Sequence, residues 1–344
     1  MRGGTIEDRI EVRGDMRERN LNTFKTVDDA VEYWFRYYKE NGYPNYKRES
    51  YEPQKELAKV RNSPEVIHDG VANQIMTGCG FLWSYFPHWV DVETWNSQSV
   101  ADLWKDDEKL HKLIEKTVAW CINHENARIS ENRVRQLAKV YLAKQAPSNF
   151  RPTVAKSLYN MYGNGGSVYD PCAGWGGRLM GFLASDCKEY VACDPATKTY
   201  HGLLQLAGNL KDEQKKVTIL NCCQEEYQPE AERFDMVFTS PPYFDCEKYS
   251  DEPTQSYIRY PTISRWVSQF LEPLIVNAWI GLKEGGYFVL NIANTKNAPR
   301  LEDLSQIYSQ MVGFRMVDTI LLSLSSISGK GVKYEPMFVF QKKQ

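Results

Sequence analysis

The residues best suited to chemistry lie in one short stretch, Phe234 to Phe244, which reads FDMVFTSPPYF. Met236, Val237 and Phe238 form an apolar, β-favouring run that reads as a buried strand. Thr239 and Ser240 close it directly against Pro241 and Pro242, which lack a backbone N–H and fix φ near −65°, so the strand must end there. What remains is a stiff turn carrying the Ser240 hydroxyl, the Pro241 carbonyl and the Tyr243 ring, with Phe244 next to it as a further substrate-binding candidate. Those groups suit a planar ring that bears an exocyclic amine. Such an amine, as in cytosine or adenine, is a poor nucleophile because its lone pair is delocalised into the ring. It must pyramidalise before it attacks a methyl donor, and acceptors on its two N–H bonds favour that change. Ser240 Oγ and the Pro241 carbonyl can be those acceptors, dipoles aimed in advance at charge that develops in the transition state. Tyr243 offers a face for stacking, worth roughly 1–3 kcal/mol per base. A general base is optional, since the cationic product amine loses its proton easily. Taken alone, Ser-Pro-Pro-Tyr reads as readily as a polyproline turn at a strand end, so its surroundings decide its weight.

The elements that would hold this turn begin near Asn149, where short apolar strands alternate with helices and predict an open α/β sheet. Ser167 to Asp170 is a first strand, followed at once by PCAGWGGR and a helix through Leu179, Met180, Phe182 and Leu183. Gly174, Gly176 and Gly177 let the backbone turn tightly and approach a ligand closely, at the strand edge where open α/β sheets bind. The spacing is not the dinucleotide GxGxxG and no Walker lysine follows, which argues against NAD and nucleoside triphosphates. A second strand, Tyr190 to Asp194, ends in an acid about 20 residues past the glycines, the placement for ribose hydroxyls. The alternative for Asp194, ahead of Pro195, is a helix N-cap. A third strand, Val217 to Leu220, ends at Asn221 to Gln224, and the Ser240 strand is the fourth. All four strand ends should face one crevice. Beyond them come a helix over Trp266 to Leu282, a strand over Gly286 to Ile292, and a helix over Leu301 to Val312. Two strands, Phe314 to Leu322 and Tyr334 to Gln341, flank a loop containing SSISGKGVK and read as a terminal antiparallel hairpin.

The first part of the chain, to about residue 148, reads as mainly helical. Its opening residues are densely charged with mixed sign and suit an arm or an edge element. A helix should follow Thr26, with Asp28 and Asp29 in its first turn and Val31, Trp34, Phe35 and Tyr38 on its apolar face, and stop near Asn41-Gly42. The run GCGFLWSYFPHW from Gly78 to Trp89 suits a core, or else a stacking platform for bases. Two more helices are expected over Asp107 to His124 and Glu131 to Lys144. The second carries Arg133, Arg135, Lys139 and Lys144, which reads either as a solvated face or as half of a helix-turn-helix.

With 42 Lys and Arg against 44 Asp and Glu, the net charge is −2, so any nucleic-acid contact must come from a local patch. The 8 cysteines form no CxxC pair, which excludes the common zinc modules. With no signal peptide and no long apolar run, a reducing cytoplasm is the expected location.

Residues 149 to 344 resemble the amino-group DNA methyltransferases, S-adenosylmethionine enzymes that methylate N4 of cytosine or N6 of adenine. Three matches carry the resemblance: Asn149-Phe-Arg-Pro152 with a helix leading into Asp170-Pro-Cys-Ala-Gly-Trp-Gly176, the acid Asp194, and the motif Ser240-Pro241-Pro242-Tyr243. It implies a Rossmann-like methyltransferase fold, with a mostly parallel seven-stranded sheet and a C-terminal antiparallel hairpin, plus a helical domain over 1–148. By the resemblance, Asp170, Pro171, Cys172, Ala173, Gly174 and Gly176 would cradle the methionine part of S-adenosyl-L-methionine. Asp194 would hold its ribose, Cys222, Cys223 and Gln224 would border its adenine, and Phe150 and Arg151 would close the pocket. The target base would have to flip out of the duplex, at roughly a few kcal/mol of unstacking. Trp175 and Arg178 depart from the small and hydroxyl residues common in the family's glycine loop. The segment after the catalytic prolines is too short for the family's recognition insert, which leaves the helical part as the candidate for reading sequence.

Topology adds Lys296 and Arg300 after one strand, and Lys330 and Lys333 in the terminal loop, as cations ringing the site; they read as phosphate contacts or as ordinary surface lysines and arginine. The partner implied is double-stranded DNA; a homodimer is admitted, and a restriction partner is left open. The competing readings are the same chemistry on RNA or on a protein side-chain amide, a Cys246 nucleophile, and a nucleic-acid-binding module that has lost catalysis.

Overall fold

The computed structural model describes residues 20–73, 75–94, 97–124, 128–142, 147–324 and 332–343. The opening arm, Lys144 and Lys330 lie outside the described residues. The chain divides into two units, Met1–Asn45 with Val90–Ala146, and Tyr46–Trp89 with Pro147–Gln344.

The first unit is helical, and its helices start and stop where the side chains provide caps. Val27–Asn41 opens on a capping box, in which Thr26 Oγ1 accepts the Asp29 N–H at 3.1 Å and the Asp29 carboxylate accepts the Thr26 N–H at 3.2 Å. It closes at Gly42, whose φ of 76° suits a residue without Cβ. Val31, Trp34, Tyr37 and Tyr38 are buried against Leu110, Leu113, Ile114 and Val118 of the helix Asp107–Asn123. The basic helix expected over Glu131 to Lys144 is α-helical only over Glu131–Leu137 and continues as a π turn over Ala138–Leu142. Its two arginines are engaged inside the unit. Arg135 donates to the Pro44 carbonyl at 2.9 Å and pairs with Glu131, while the Arg133 guanidinium lies on the Trp120 ring. That is the solvated-face reading with an internal half, and it leaves the helix-turn-helix reading without its arginines.

In the second unit the α-helices of five residues or more are α1 (Pro53–Arg61), α2 (Cys79–Trp83), α3 (Pro152–Tyr162), α4 (Gly177–Ala184), α5 (Thr197–Asn209), α6 (Glu272–Gly281) and α7 (Leu301–Val312). The sheet strands are β1 (Ile67–His68), β2 (Val71–Ala72), β3 (Ser167–Asp170), β4 (Glu189–Cys193), β5 (Lys216–Leu220), β6 (Phe234–Thr239), β7 (Leu282–Asn291), β8 (Phe314–Leu324) and β9 (Lys333–Lys342). They lie in the order β1-β2-β8-β9-β7-β6-β3-β4-β5. The five strands from β7 to β5 are parallel, and β8 and β9 form an antiparallel hairpin docked on β7. The architecture is a Rossmann-like α/β sheet with the expected terminal hairpin. The middles of strands β3 and β6, Val168-Tyr169 and Met236-Val237-Phe238, are apolar and buried, as strands covered on both faces require.

Two expectations are corrected. The sheet has nine described strands rather than seven, because the hairpin β1–β2 joins its edge through parallel pairing of β2 with β8. Asp69 and Gly70, at φ 49° and 74°, supply the positive-φ pair that such a two-residue turn requires. Second, residues 46–89 belong with the sheet and not with a helical domain ending at 148. Their aromatic run is core rather than platform: Phe81, Trp83, Tyr85, Phe86 and Trp89 are each 4% exposed or less. Lys156 of α3 holds the segment by donating to the Ser63 carbonyl at 2.6 Å.

The helix expected over Trp266 to Leu282 is one helical run from Ile263 to Gly281 with a π turn at Val267–Leu271. Pro273, which has no N–H to donate, follows that wider turn directly. Among the described residues no helix is long and apolar enough to cross a membrane.

Candidate active site

The strand order reverses between β3 and β6, and open α/β sheets place their crevice at such a switch point. Val168 pairs with Met236 and Tyr169 with Val237, so the glycine turn after β3 and the Ser-Pro-Pro turn after β6 leave the sheet on the same rim. They are joined there, the Cys172 N–H donating to Thr239 Oγ1 at 3.2 Å.

The glycine turn is held from beneath. Asp170 has no exposed surface; its carboxylate accepts Arg178 Nε and the Tyr190 hydroxyl, each at 2.7 Å, and the Cys172 N–H at 3.3 Å. Arg178, 4% exposed, also donates to the Cys172 carbonyl, and the charge of Asp170 pushes the arginine's pKa up against its burial. This corrects the expectation for Asp170: it shapes the loop and offers a ligand nothing. Pro171, Ala173 and Gly176 are likewise buried, so Cys172 and Gly174 are the expected loop residues that present surface. Gly174, at φ 61°, is partly exposed, and a Cβ there would stand in ordinary van der Waals contact, 3.8 Å from Arg178 Nη2. Of the two departures from the family's loop, Arg178 therefore borders Gly174, while Trp175 packs against Trp83 and Tyr249 at ring distances of 5.3 and 5.5 Å. From the other side, Asn149 Nδ2 donates to the Trp175 carbonyl at 2.6 Å, and the Phe150 carbonyl would stand 1.9 Å from a Cβ at Gly177. The Phe150 ring meets Phe238 edge-on at 5.3 Å.

Asp194 stands just past β4, 8% exposed, with Oδ2 accepting the Gly174 N–H at 2.9 Å and Oδ1 the Ala196 N–H at 3.0 Å. It therefore ties the second strand end to the glycine turn, and α5 begins three residues later without a side-chain cap from it. Burial pushes its carboxyl up to about 7, against the two amide donors that lower it. At the next strand end Cys222 is partly exposed, with its thiol 3.6 Å from that of Cys193. Cys223 is turned away: it is 2% exposed, its thiol faces the Thr254 carbonyl at 3.5 Å, and burial pushes its pKa up to about 11. Gln224 donates to the Phe270 carbonyl at 2.9 Å, while its Oε1 is buried without a partner.

At the Ser-Pro-Pro turn the pairing of β6 stops at Thr239. Ser240 Oγ donates to Asn291 Oδ1 at 3.2 Å, which leaves its lone pairs as acceptors, and Asn291 Nδ2 donates to the Pro336 carbonyl at 3.1 Å. The Tyr243 hydroxyl donates to Glu335 at 3.3 Å, and burial with that acid beside it raises its pKa well above the ordinary value. Phe244 is corrected from substrate face to core: it is 7% exposed, packs against Trp266, and takes φ 60° to turn the chain inward. Glu247, bonded by the Tyr249 hydroxyl, has its carboxyl pushed up to about 7 by burial, and Glu335 is raised for the same reason. The Cys246 thiol is pushed up to about 12 by burial and by Glu247, Asp245 and Glu335, which removes it as a nucleophile at neutral pH.

Arg151 is 6% exposed and its Nε has no partner. Lys296, Arg300 and Lys333 are exposed on elements that reach this rim, with Arg300 facing Asp303 at 3.7 Å. Asn291, Glu335, Glu247 and the Arg178 pairing were not foreseen. An asparagine inside the apolar run FVLNIA was a readable signal for the first, whereas the two acids depend on strand pairing and loop burial that no spacing encodes.

No protein-family model and no curated relative matches the chain. Among solved structures it is similar to TrmN from Thermus thermophilus, at 15% identity and a TM-score of 0.37, over 56% of this chain and 48% of that one. It is also similar to magnesium protoporphyrin IX methyltransferase (ChlM) from Synechocystis PCC 6803 with bound SAM, at 14% identity and a TM-score of 0.36, over 51% of this chain and 69% of that one. M. jannaschii TYW2 in complex with AdoMet aligns at 13% identity and a TM-score of 0.35, over 54% of this chain and 72% of that one. The fold assignment rests on the strand order itself and not on these scores.

Proposed function

We propose that the protein transfers a methyl group from S-adenosylmethionine to the exocyclic amine of a flipped cytosine or adenine in DNA. The observation that carries the reading is the adjacency of the two turns on one rim, closed by the Cys172–Thr239 hydrogen bond. The donor set fits the cofactor. Gly174 is a partly exposed turn residue without a Cβ, Asp194 is a buried acid with only two amide hydrogen-bond partners, and Gln224 Oε1 is a buried acceptor with none. Ribose hydroxyls suit the first acid and an adenine amine suits the orphan acceptor, while Cys172 and Gly174 offer the loop surface. Bound there, S-adenosylmethionine would supply an electrophilic methyl group.

The chain's own residues do the rest. Ser240, its proton committed to Asn291, accepts one N–H of the target amine, and the Pro241 carbonyl accepts the other. Charge that builds on the nitrogen is met by those dipoles and by Glu247, whose raised carboxyl can take up the proton that leaves. Tyr243 provides the face for the base. Lys296, Lys333 and Arg300 are placed for phosphates, with Lys330 as a further candidate from the sequence.

The test is mass spectrometry of nucleosides from DNA and RNA of cells expressing the wild type and the Ser240→Ala variant. N4-methylcytosine or N6-methyladenine in DNA, absent with the variant, is the expected result. Modification confined to RNA, or none, overturns the reading.

A further inference from the structure

Two consecutive residues of β9 each hold one half of the Ser-Pro-Pro-Tyr turn. Pro336 accepts from Asn291, which in turn takes the Ser240 hydroxyl, and Glu335 takes the Tyr243 hydroxyl at 3.3 Å. We propose that Glu335 is a positioning residue for the transfer site, fixing the Tyr243 ring against which the target base lies; the inference rests on the base-methylation reading above.

The physical argument starts from the ring. An aromatic side chain turns about two torsions, and a stacking face is useful only if it is set before the base arrives. Tyr243 is partly buried against the core, and its hydroxyl meets both Ser240 and Glu335. Glu335 provides the acceptor from a rigid strand, paired through Leu322 to β8. At 3.3 Å the contact is longer than an ordinary O–H···O bond, and site hydrogen bonds commonly tighten only once substrate is bound.

The acceptor is also titratable. Tyr243, Cys246 and Glu247 face Glu335 from the turn and its following loop, Arg151 from the segment before α3, Glu302 from α7, and Lys333 from its own strand. Lys333 and Arg151 favour the carboxylate, and burial with Glu302 opposes it. When Glu335 takes a proton it keeps only a neutral carbonyl acceptor, so its bond to the Tyr243 hydroxyl weakens without being lost. Positioning should therefore loosen on the acid side to the level a glutamine gives, at a pH above the ordinary carboxylate range.

The test has two arms on the full chain. In the first, tyrosines carry 13C at Cζ, Tyr243 is assigned by its loss in Tyr243→Phe, and its signal is followed with pH. The expected result is one acid transition in the wild type and in Glu247→Gln, absent in Glu335→Gln. A Tyr243 signal that titrates unchanged in Glu335→Gln overturns the proposal without reference to activity. In the second arm, transfer of labelled methyl to DNA is measured. Glu335→Ala should raise KM for DNA about tenfold and match Tyr243→Phe, the double variant should be no worse than either, and Glu335→Gln should recover most of the loss while lacking the acid limb. Additive losses in the double variant overturn the coupling. A wild type with the expected tyrosine titration and no transfer to DNA instead overturns the base-methylation reading, and with it the base-facing role of the ring.

Discussion

Replacing Asp194 by Asn separates the cost of a buried charge from the work that charge does. The wild-type carboxyl titrates near 7 in the fold against 3.8 for the free group, so ionising it inside the protein costs about 4 kcal/mol at ~1.4 kcal/mol per pKa unit. The sign follows from proton binding. Between those two values the folded state keeps a proton that the unfolded chain has lost, so stability from this group is full at low pH and declines as pH rises through 7. The asparagine has no such slope. Its single carbonyl oxygen, like that of the protonated acid, fully accepts only one of the Gly174 and Ala196 N–H groups. The variant should therefore lie close to the wild type at pH 5, where the wild-type carboxyl is protonated, and be the more stable of the two at pH 8, with the gap opening between. Urea unfolding at unit steps of pH reads this directly. Curves that stay parallel from pH 5 to 8 would refute the reasoning. Calorimetry adds the functional side: affinity for S-adenosylmethionine should rise with pH up to 7, by at most about tenfold per unit, and then level. In the variant it should be weaker and flat.

Ser240→Ala removes one acceptor from the target amine and should lower kcat by about 10²–10³ while leaving affinity for the methyl donor unchanged, as single-turnover transfer and calorimetry would show. Arg178→Met strands the buried Asp170 charge and should cost about 3–5 kcal/mol in urea unfolding; adding Asp170→Asn should return much of it, and a loss under about 1 kcal/mol would mean that the pair is not what holds the turn. Cys246→Ala should keep full activity, because a thiol pushed up to about 12 is protonated at neutral pH; loss of transfer would reinstate the cysteine. Lys333→Glu should weaken DNA binding evenly across sequences and flatten its salt dependence, which a filter-binding series in salt would detect.

Where element and chemistry share one local pattern, the residues alone locate both. The strand Ser167–Asp170 and the helix Leu301–Val312 lie where periodicity puts them, because an apolar run beside glycines and a capped amphipathic stretch each have one solution. The adjacency of the two turns also follows from order, since a parallel sheet sends every strand's carboxyl end to one rim. The failures share a different cause. The hairpin at Asp69-Gly70 carried a plain turn signal, but two-residue strands have no period to read, and their partner β8 lies some 250 residues away in sequence. Residues 46–89 look like the helices before them because an aromatic helix does not declare which core it enters.

The acids of the site illustrate the same limit at the level of chemistry. Asp170 and Asp194 both end strands at the rim, and sequence treats them alike. The fold gives Asp170 a guanidinium, a phenol and an amide, so its charge is compensated and its oxygens are used up. It gives Asp194 two amides and only the weaker, unpaired influence of Arg178, so burial makes the charge costly and the remaining lone pairs are open to a ligand. What separates a loop-holding acid from a ligand-binding one is thus the arginine eight positions along, on the inner face of α4. Moving that cation, and not either carboxylate, is the change that would exchange their roles.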